Sequence, residues 1–264
     1  MKKLSLLILF IFLLSIIPSS AQNPEELYQQ GIEYANSRDY KKAGNCFRKA
    51  AKGGNIDAQY KIGRLLRNYD NQLYNISEKE AIKWLREAAQ QGHILSQKLL
   101  GSTFFCNKIS SEERLNWLKK AAEQGDEKSQ MEVAHHYRYK YKGSNDDLME
   151  AIRWCKLAAD NGNDEAMLEI GNCYRNLNKY ENAEYWYKKA GEKGNSKAYE
   201  ELGRLYDTKF KDYDKAIEWY KKAVELGNKN IFFELGLIYQ YIKKDYEEAI
   251  KCYKEDHYCP VKVD

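Results

Sequence analysis

The sequence predicts an all-α solenoid of about seven antiparallel helix-turn-helix repeats, and three observations carry that prediction. The first is proline: the 264-residue chain has only Pro18, Pro24 and Pro260, so residues 25–259 contain none. Average usage of about 5% would give roughly a dozen, and a loop-rich all-β domain would draw on proline for its turns. The second is tryptophan. Trp84, Trp117, Trp154, Trp186 and Trp219 are the five in the chain, spaced by 33, 37, 32 and 33, a period that marks stacked helical units. The third is glycine: Gly54, Gly92, Gly125, Gly162, Gly194 and Gly227 each stand eight residues after the position the tryptophans share.

The first element to account for is the N-terminal segment. Lys2 and Lys3 precede an apolar run at 4–17, followed by Pro18, Ser19, Ser20 and Ala21. A positive start, an apolar stretch and small residues before a cut describe a secretory signal peptide. The run is shorter than the roughly 20 residues of a spanning helix. Cleavage is expected between Ala21 and Gln22, and no cysteine follows the cut to carry a lipid. Residues 22–264 then form the mature chain, as one solenoid. Loss of two lysines lowers the formal net charge from +4 to +2. So even a balance gives no bulk electrostatic reason to bind nucleic acid or an anionic membrane. No other segment is long and apolar enough for stable insertion into a bilayer.

Extending the tryptophan frame by 33 residues reaches Cys252, and stepping back by 38 reaches Cys46, so seven units share one position. Three residues before it stand Ala43, Ala81, Ala151, Ala183, Ala216 and Ala249, with Arg114 the exception. Four residues after it alanine recurs, from Ala50 to Ala223. A second block holds Gly63, Gly101, Ala134, Gly171, Gly203 and Gly236, with Leu66, Phe104, Tyr137, Tyr174, Tyr206 and Tyr239 three residues on. Small residues in mid-helix let a neighbouring helix come close while a large one nearby fills the adjoining space. Glycine after the second helix suits a left-handed cap. The Asn, Asp or His that follows it starts the next helix. The first hairpin is therefore placed at 25–36 and 40–52, and the others begin near 56, 94, 127, 164, 196 and 229. Units two and four carry longer connections, at 68–77 and 140–147, and extended loops on one edge of a solenoid are candidate contact sites.

These residues resemble a known family. Stretches such as "AIKWLREAAQQGH", "NWLKKAAEQGD", "AIEWYKKAVELGN" and "AYEELGRLY" are similar to the Sel-1-like repeat, a relative of the tetratricopeptide repeat, over about residues 25–258. The first unit, "YQQGIEYANSRDYKKAGNCFRKA", looks as much like a plain tetratricopeptide repeat. Arg114, Ala134 and the last unit, with Asp256, His257 and Pro260, depart from the pattern. The resemblance implies a right-handed α/α superhelix that serves as a non-catalytic binding scaffold, in eukaryotic quality control and in bacterial envelope signalling. With the signal peptide it implies a periplasmic or secreted adaptor for a protein or peptide. The alternative it carries is a β-lactamase-like envelope enzyme, as described for cysteine-rich secreted relatives.

The residues weigh against that alternative. The six cysteines do not recur in register, as stapled hairpins would need, and Cys46 and Cys252 take tryptophan's place in a packed column. One pair, Cys155 with Cys173, flanks the turn near Gly162 about equally far along antiparallel helices, and a disulfide there competes with two buried thiols. His135 and His136 are adjacent and point about 100° apart on a helix, so they do not share a metal ion. The cluster Cys252, His257 and Cys259 lies near a chain end and defines no tetrahedral site. There is no nucleophile elbow, Walker loop, dinucleotide fingerprint, zinc-protease motif or serine-x-x-lysine, so no cofactor is called for.

If the first helices follow tetratricopeptide geometry, the residues one and four after the small residue line the concave face. In the middle units these include Arg64, Arg67, His135, Arg138, Asn172, Arg175 and Arg204, and the positions three and six before it add Lys98. Over units two to seven these four positions hold eight basic and four acidic residues. Arginine offers a planar fork to carboxylates, so an acidic or carboxylate-ended peptide is the partner this face suits. The plain alternative is a solvated helix face with arginine chosen for helix propensity.

Overall fold

The computed structural model describes residues 23–67, 70–139 and 144–255. They form fourteen α-helices and no strand. The N-terminal segment, the start of the connection at 68–69, the connection at 140–143 and the final residues with His257, Cys259 and Pro260 lie outside the described residues.

The chain divides into two compact units, one ending at Gln124 and one beginning at Gly125. In the first, α1 (Pro24–Asn36) pairs with α2 (Tyr40–Lys52), α3 (Ile56–Leu65) with α4 (Glu78–Gln90), and α5 (Ile94–Gly101) with α6 (Ser111–Glu123). In the second, the pairs are α7 (Glu127–Arg138) with α8 (Asn145–Asp160), α9 (Asp164–Asn176) with α10 (Tyr180–Glu192), α11 (Ser196–Leu205) with α12 (Tyr213–Glu225), and α13 (Phe232–Leu237) with α14 (Tyr246–Glu255). Each unit is thus a run of helical hairpins, the expected all-α repeat architecture. Pro24 sits in the first turn of α1, where its missing N–H breaks no helical bond.

The glycine column behaves as a left-handed cap throughout, with φ between +86 and +96° at all six positions, a region that side chains with a Cβ resist. The residue after each glycine opens the next helix. Asn55, Asp126, Asn163 and Asn195 accept from the backbone N–H three residues on, at 2.7 to 3.1 Å, which satisfies a donor the helix itself cannot. Three of the asparagines also reach the preceding hairpin: Asn55 donates to Glu25, Asn163 to Glu127 and Asn195 to Asp164. His93 and Asn228 make no such cap. His93 pairs with the Ser96 hydroxyl through Nδ1, and Asn228 donates to Glu200.

The small residue of each first helix marks the closest helix approach, but its neighbour is the residue after the tryptophan column. A Cβ on Gly63 would lie 2.6 Å from Leu85, one on Gly101 2.5 Å from Leu118, and ones on Gly171 and Gly203 2.5 Å from Tyr187 and Tyr220. The fourth hairpin carries Ala134 in this column and Cys155 opposite, both 1% exposed. An extra methyl on one helix is matched there by a smaller side chain on the other, which keeps the packed volume constant. Arg114, the exception in the alanine column, donates to the carbonyls of Ser102 and Gly101 at 3.1 and 3.3 Å. It caps α5, which is only eight residues long.

The connection after α3 is part of the core. Tyr74 and Ile76 are buried, the Tyr74 carbonyl lies against Gly44 where a Cβ would come within 2.2 Å, and the Arg48 guanidinium donates to the Asn75 carbonyl and to Glu80. Close packing accounts for the length of this loop.

Candidate partner-binding face

The first helices carry the cationic residues picked out from the sequence, and the two units treat them differently. In the second unit they are tied to glutamates of the next hairpin. Arg138 of α7, with its side chain 12% exposed, pairs with Glu169 of α9, which is equally covered. Arg175 of α9 pairs with Glu201 of α11 at 3.0 Å. Arg204 of α11 pairs with Glu234 of α13 at 3.2 Å and with its own helix's Glu200 at 2.8 Å. The three glutamates share one register position, two residues before the small residue, where Glu132 also stands. They form an internal ladder that joins successive hairpins.

Asn172, expected on the open face, is buried within this ladder. Its carbonyl accepts from the Tyr187 hydroxyl at 2.9 Å, and its amide faces Glu169 at 3.4 Å. Burial pushes the Tyr187 and Tyr220 hydroxyls far above the ordinary tyrosine range, so both stay protonated. His135 is half-buried, and burial, with the neighbouring Arg138 charge, holds its imidazole below its ordinary value. The ring stands edge-on to Tyr139, over which the Arg138 guanidinium also lies, at 4.6 Å. In the second unit, then, the predicted residues come together, but as a structural network.

The first unit differs at the same register. The position two before the small residue holds Gln29, Lys61 and Leu99, so the acid column is missing. Arg64 and Arg67 are exposed and have no ion pair among the described residues. Lys61, one turn before Arg64, is half-buried. Burial first, then the Arg64 charge, holds its ammonium below its ordinary value, with Asp70 acting weakly the other way. Lys98 is half-buried and already engaged. Phe105, which the tetratricopeptide rule would place on the open face, is instead fully buried in the core of this unit. The sequence divides in the same way. Residues 23–124 carry 17 basic and 12 acidic side chains, net +5, whereas residues 125–264 carry 24 and 27, net −3.

Cys155 and Cys173 are free and buried. Burial pushes the Cys155 thiol up to about 12, helped by the neighbouring Cys173, and the Cys173 thiol up to about 11. Such thiols are poor nucleophiles. Among the described residues no three His, Cys, Asp or Glu side chains are grouped to hold a metal ion, and no helix is long and apolar enough to cross a membrane.

Comparison with known proteins follows the same columns. The Sel1 repeat family model matches residues 26–55, 56–93, 115–126, 128–163 and 196–228, and the tetratricopeptide repeat model matches 164–190 and 229–255. The first hairpin thus scores as a Sel1 repeat, and the plainer tetratricopeptide units are the fifth and the seventh. No curated protein matches the chain. Among solved structures, a protective antigen of uropathogenic Escherichia coli strains, described as displaying an SLR fold, is 25% identical with a TM-score of 0.60. The match covers 88% of this chain and 53% of that one, so this chain spans about half that neighbour's length. The C-terminal part of a TPR repeat-containing protein from Cytophaga hutchinsonii is 14% identical with a TM-score of 0.58, over 86% and 93% of the two chains. A Sel1 repeat protein from Oxalobacter formigenes is 27% identical with a TM-score of 0.49, over 87% and 96%.

Proposed function

Because the chain belongs to the Sel1 repeat family, whose fold is a protein-interaction scaffold, we propose that it is a non-catalytic adaptor of the bacterial cell envelope, holding a protein or peptide partner on the first-helix face of its hairpins. The observation that carries this reading is the repeat itself. The tryptophan, alanine and glycine columns are consumed by packing and capping, and the first helices of the first unit keep exposed charged positions, Arg64 and Arg67, that packing does not require. The N-terminal segment supports export, since its charge, apolar run and small residues match a cleavable signal. The motifs of acyl and phosphoryl transfer are missing from the sequence, which favours binding over turnover.

The test is affinity capture of the exported protein from an envelope extract, with the mass of its N-terminal peptide read in parallel. A chain beginning at Gln22 that holds a partner in stoichiometric amount supports the reading. Retention of residues 1–21 in the cytoplasm refutes the location, and capture of nothing refutes the scaffold.

A further inference from the structure

The cationic face of the first unit lacks what neutralises its counterpart in the second. We propose that Lys61, Arg64 and Arg67 form the docking site for an acidic peptide segment of the partner protein. The site rests on the scaffold reading and gives it a place and a chemistry.

The argument is one of register. In the second unit, arginines four residues after the small residue, Arg138 and Arg175, meet a glutamate of the next hairpin, Glu169 and Glu201. Arg67 holds the same position in α3's hairpin, but the residue that would answer it from the next hairpin is Leu99, which is buried. Arg64 holds the position of Arg204, which meets two glutamates of its own helix and one of the next hairpin. The corresponding position on its own helix is occupied by Lys61, a third cation. The two residues that follow Arg67, Asn68 and Tyr69, carry no formal charge.

Three cations within two helical turns repel one another, and two, Arg64 and Arg67, have no ion pair among the described residues. A pair of carboxylates from outside would do here what Glu169 and Glu201 do internally. Guanidinium groups donate to carboxylates in a bidentate, charge-assisted fashion, and a bound anion would also relieve the half-buried Lys61 ammonium. The occupant is therefore a peptide segment with closely spaced Asp or Glu side chains. The +5 balance of the unit would draw such a segment in.

The test uses the full mature chain and a short fluorescein-labelled peptide rich in Glu, with binding followed by fluorescence anisotropy at two salt concentrations. Arg64→Glu with Arg67→Glu is compared with a charge-matched control in the second unit, Lys156→Glu with Lys193→Glu. All four residues are exposed, so both variants should keep the wild-type circular dichroism and midpoint. The expected result is salt-sensitive binding that the first pair weakens by roughly tenfold or more and the control changes by no more than about twofold. Equal weakening by both pairs would mean bulk charge and overturn the site, as would no peptide binding by the wild type. Tighter binding of a single-stranded oligonucleotide than of the peptide would overturn the acidic-peptide assignment. Capture of the envelope partner, unaffected by the Arg64→Glu and Arg67→Glu pair, would remove this site while leaving the scaffold reading intact.

Discussion

Gly171→Ala tests the packing rule on which the fold rests. Alanine in a helix interior is favoured over glycine by about 1 kcal/mol, so propensity alone predicts a more stable protein. The structure predicts the reverse. The added Cβ would lie 2.5 Å from both Cδ1 and Cε1 of Tyr187, about 1 Å inside ordinary van der Waals contact. The ring cannot swing away, because it is fully buried and its hydroxyl is held by Asn172 at 2.9 Å. Overpacking of this kind costs about 1–3 kcal/mol. After the propensity gain, a net loss of up to about 2 kcal/mol remains, at about 2–4 °C in the thermal midpoint per kcal/mol for a chain this size. Urea denaturation followed by circular dichroism measures it. The fourth hairpin supplies the control, since its own pair is Ala134 with Cys155. In a Tyr187→Cys background the same Gly171→Ala change should cost nothing or stabilise, giving a coupling equal to the overpacking term, about 1–3 kcal/mol. A strictly additive cycle, or a rise in stability with Tyr187 in place, would refute the reasoning.

Three further outcomes follow from the same geometry. Glu169→Ala leaves the covered Arg138 unpaired and should cost about 3 kcal/mol in denaturation, whereas replacing the pair together, Arg138→Met with Glu169→Leu, should recover most of it. Arg114→Ala restores the family's usual residue yet should destabilise by about 1–2 kcal/mol, since it removes the donors to the Gly101 and Ser102 carbonyls. Cys155 and Cys173 should resist alkylation in the native protein, while the exposed Cys106 reacts, as peptide mapping by mass spectrometry would show. Their folded values lie above the ordinary thiol value, so the folded state keeps protons that the unfolded state releases. That stability is complete below the ordinary thiol range and is lost as pH rises toward 11 to 12. A flat stability profile above pH 9 would contradict it.

The columns were legible because they are set by short-range geometry. A left-handed cap admits glycine, a close helix crossing admits glycine or alanine, and both recur at fixed offsets from one tryptophan frame. All seven hairpin starts fell within a few residues of where the sequence placed them, and Arg114 was visible as an exception. What it was for was not, because its acceptors belong to a helix that ends early. The pairing of the arginines was hidden for a related reason. Arg138 and Glu169 are 31 residues apart, and Arg175 and Glu201 are 26 apart, so only the stacking of hairpins brings them together. The glutamate column was readable two residues before the small residue. It carried no meaning until the reach of an arginine from one hairpin to the next was known. Asn172 and Phe105 were misplaced because α9 turns Asn172 toward Tyr187, and because α5 stops at Gly101 and a 3-10 turn at Thr103–Phe105 carries Phe105 into the core of the first unit.

A repeat fixes which positions must pack and leaves the rest to vary. In the second unit the glutamate column turns the arginines into internal struts, so their charge contributes to joining hairpins and little to the outside. In the first unit the same arginine positions meet Lys61 and Leu99, and the hairpins are joined by apolar packing, with Leu85, Leu99, Leu100 and Phe105 in one buried cluster, and by ion pairs elsewhere, Arg48 with Glu80 and Arg86 with Glu113. The charge there is surplus to the fold. Removing it should therefore leave stability untouched and alter only what the protein binds, whereas removing Arg138 or Arg175 should do the opposite. Stability and capture measured on one set of variants separate the two roles.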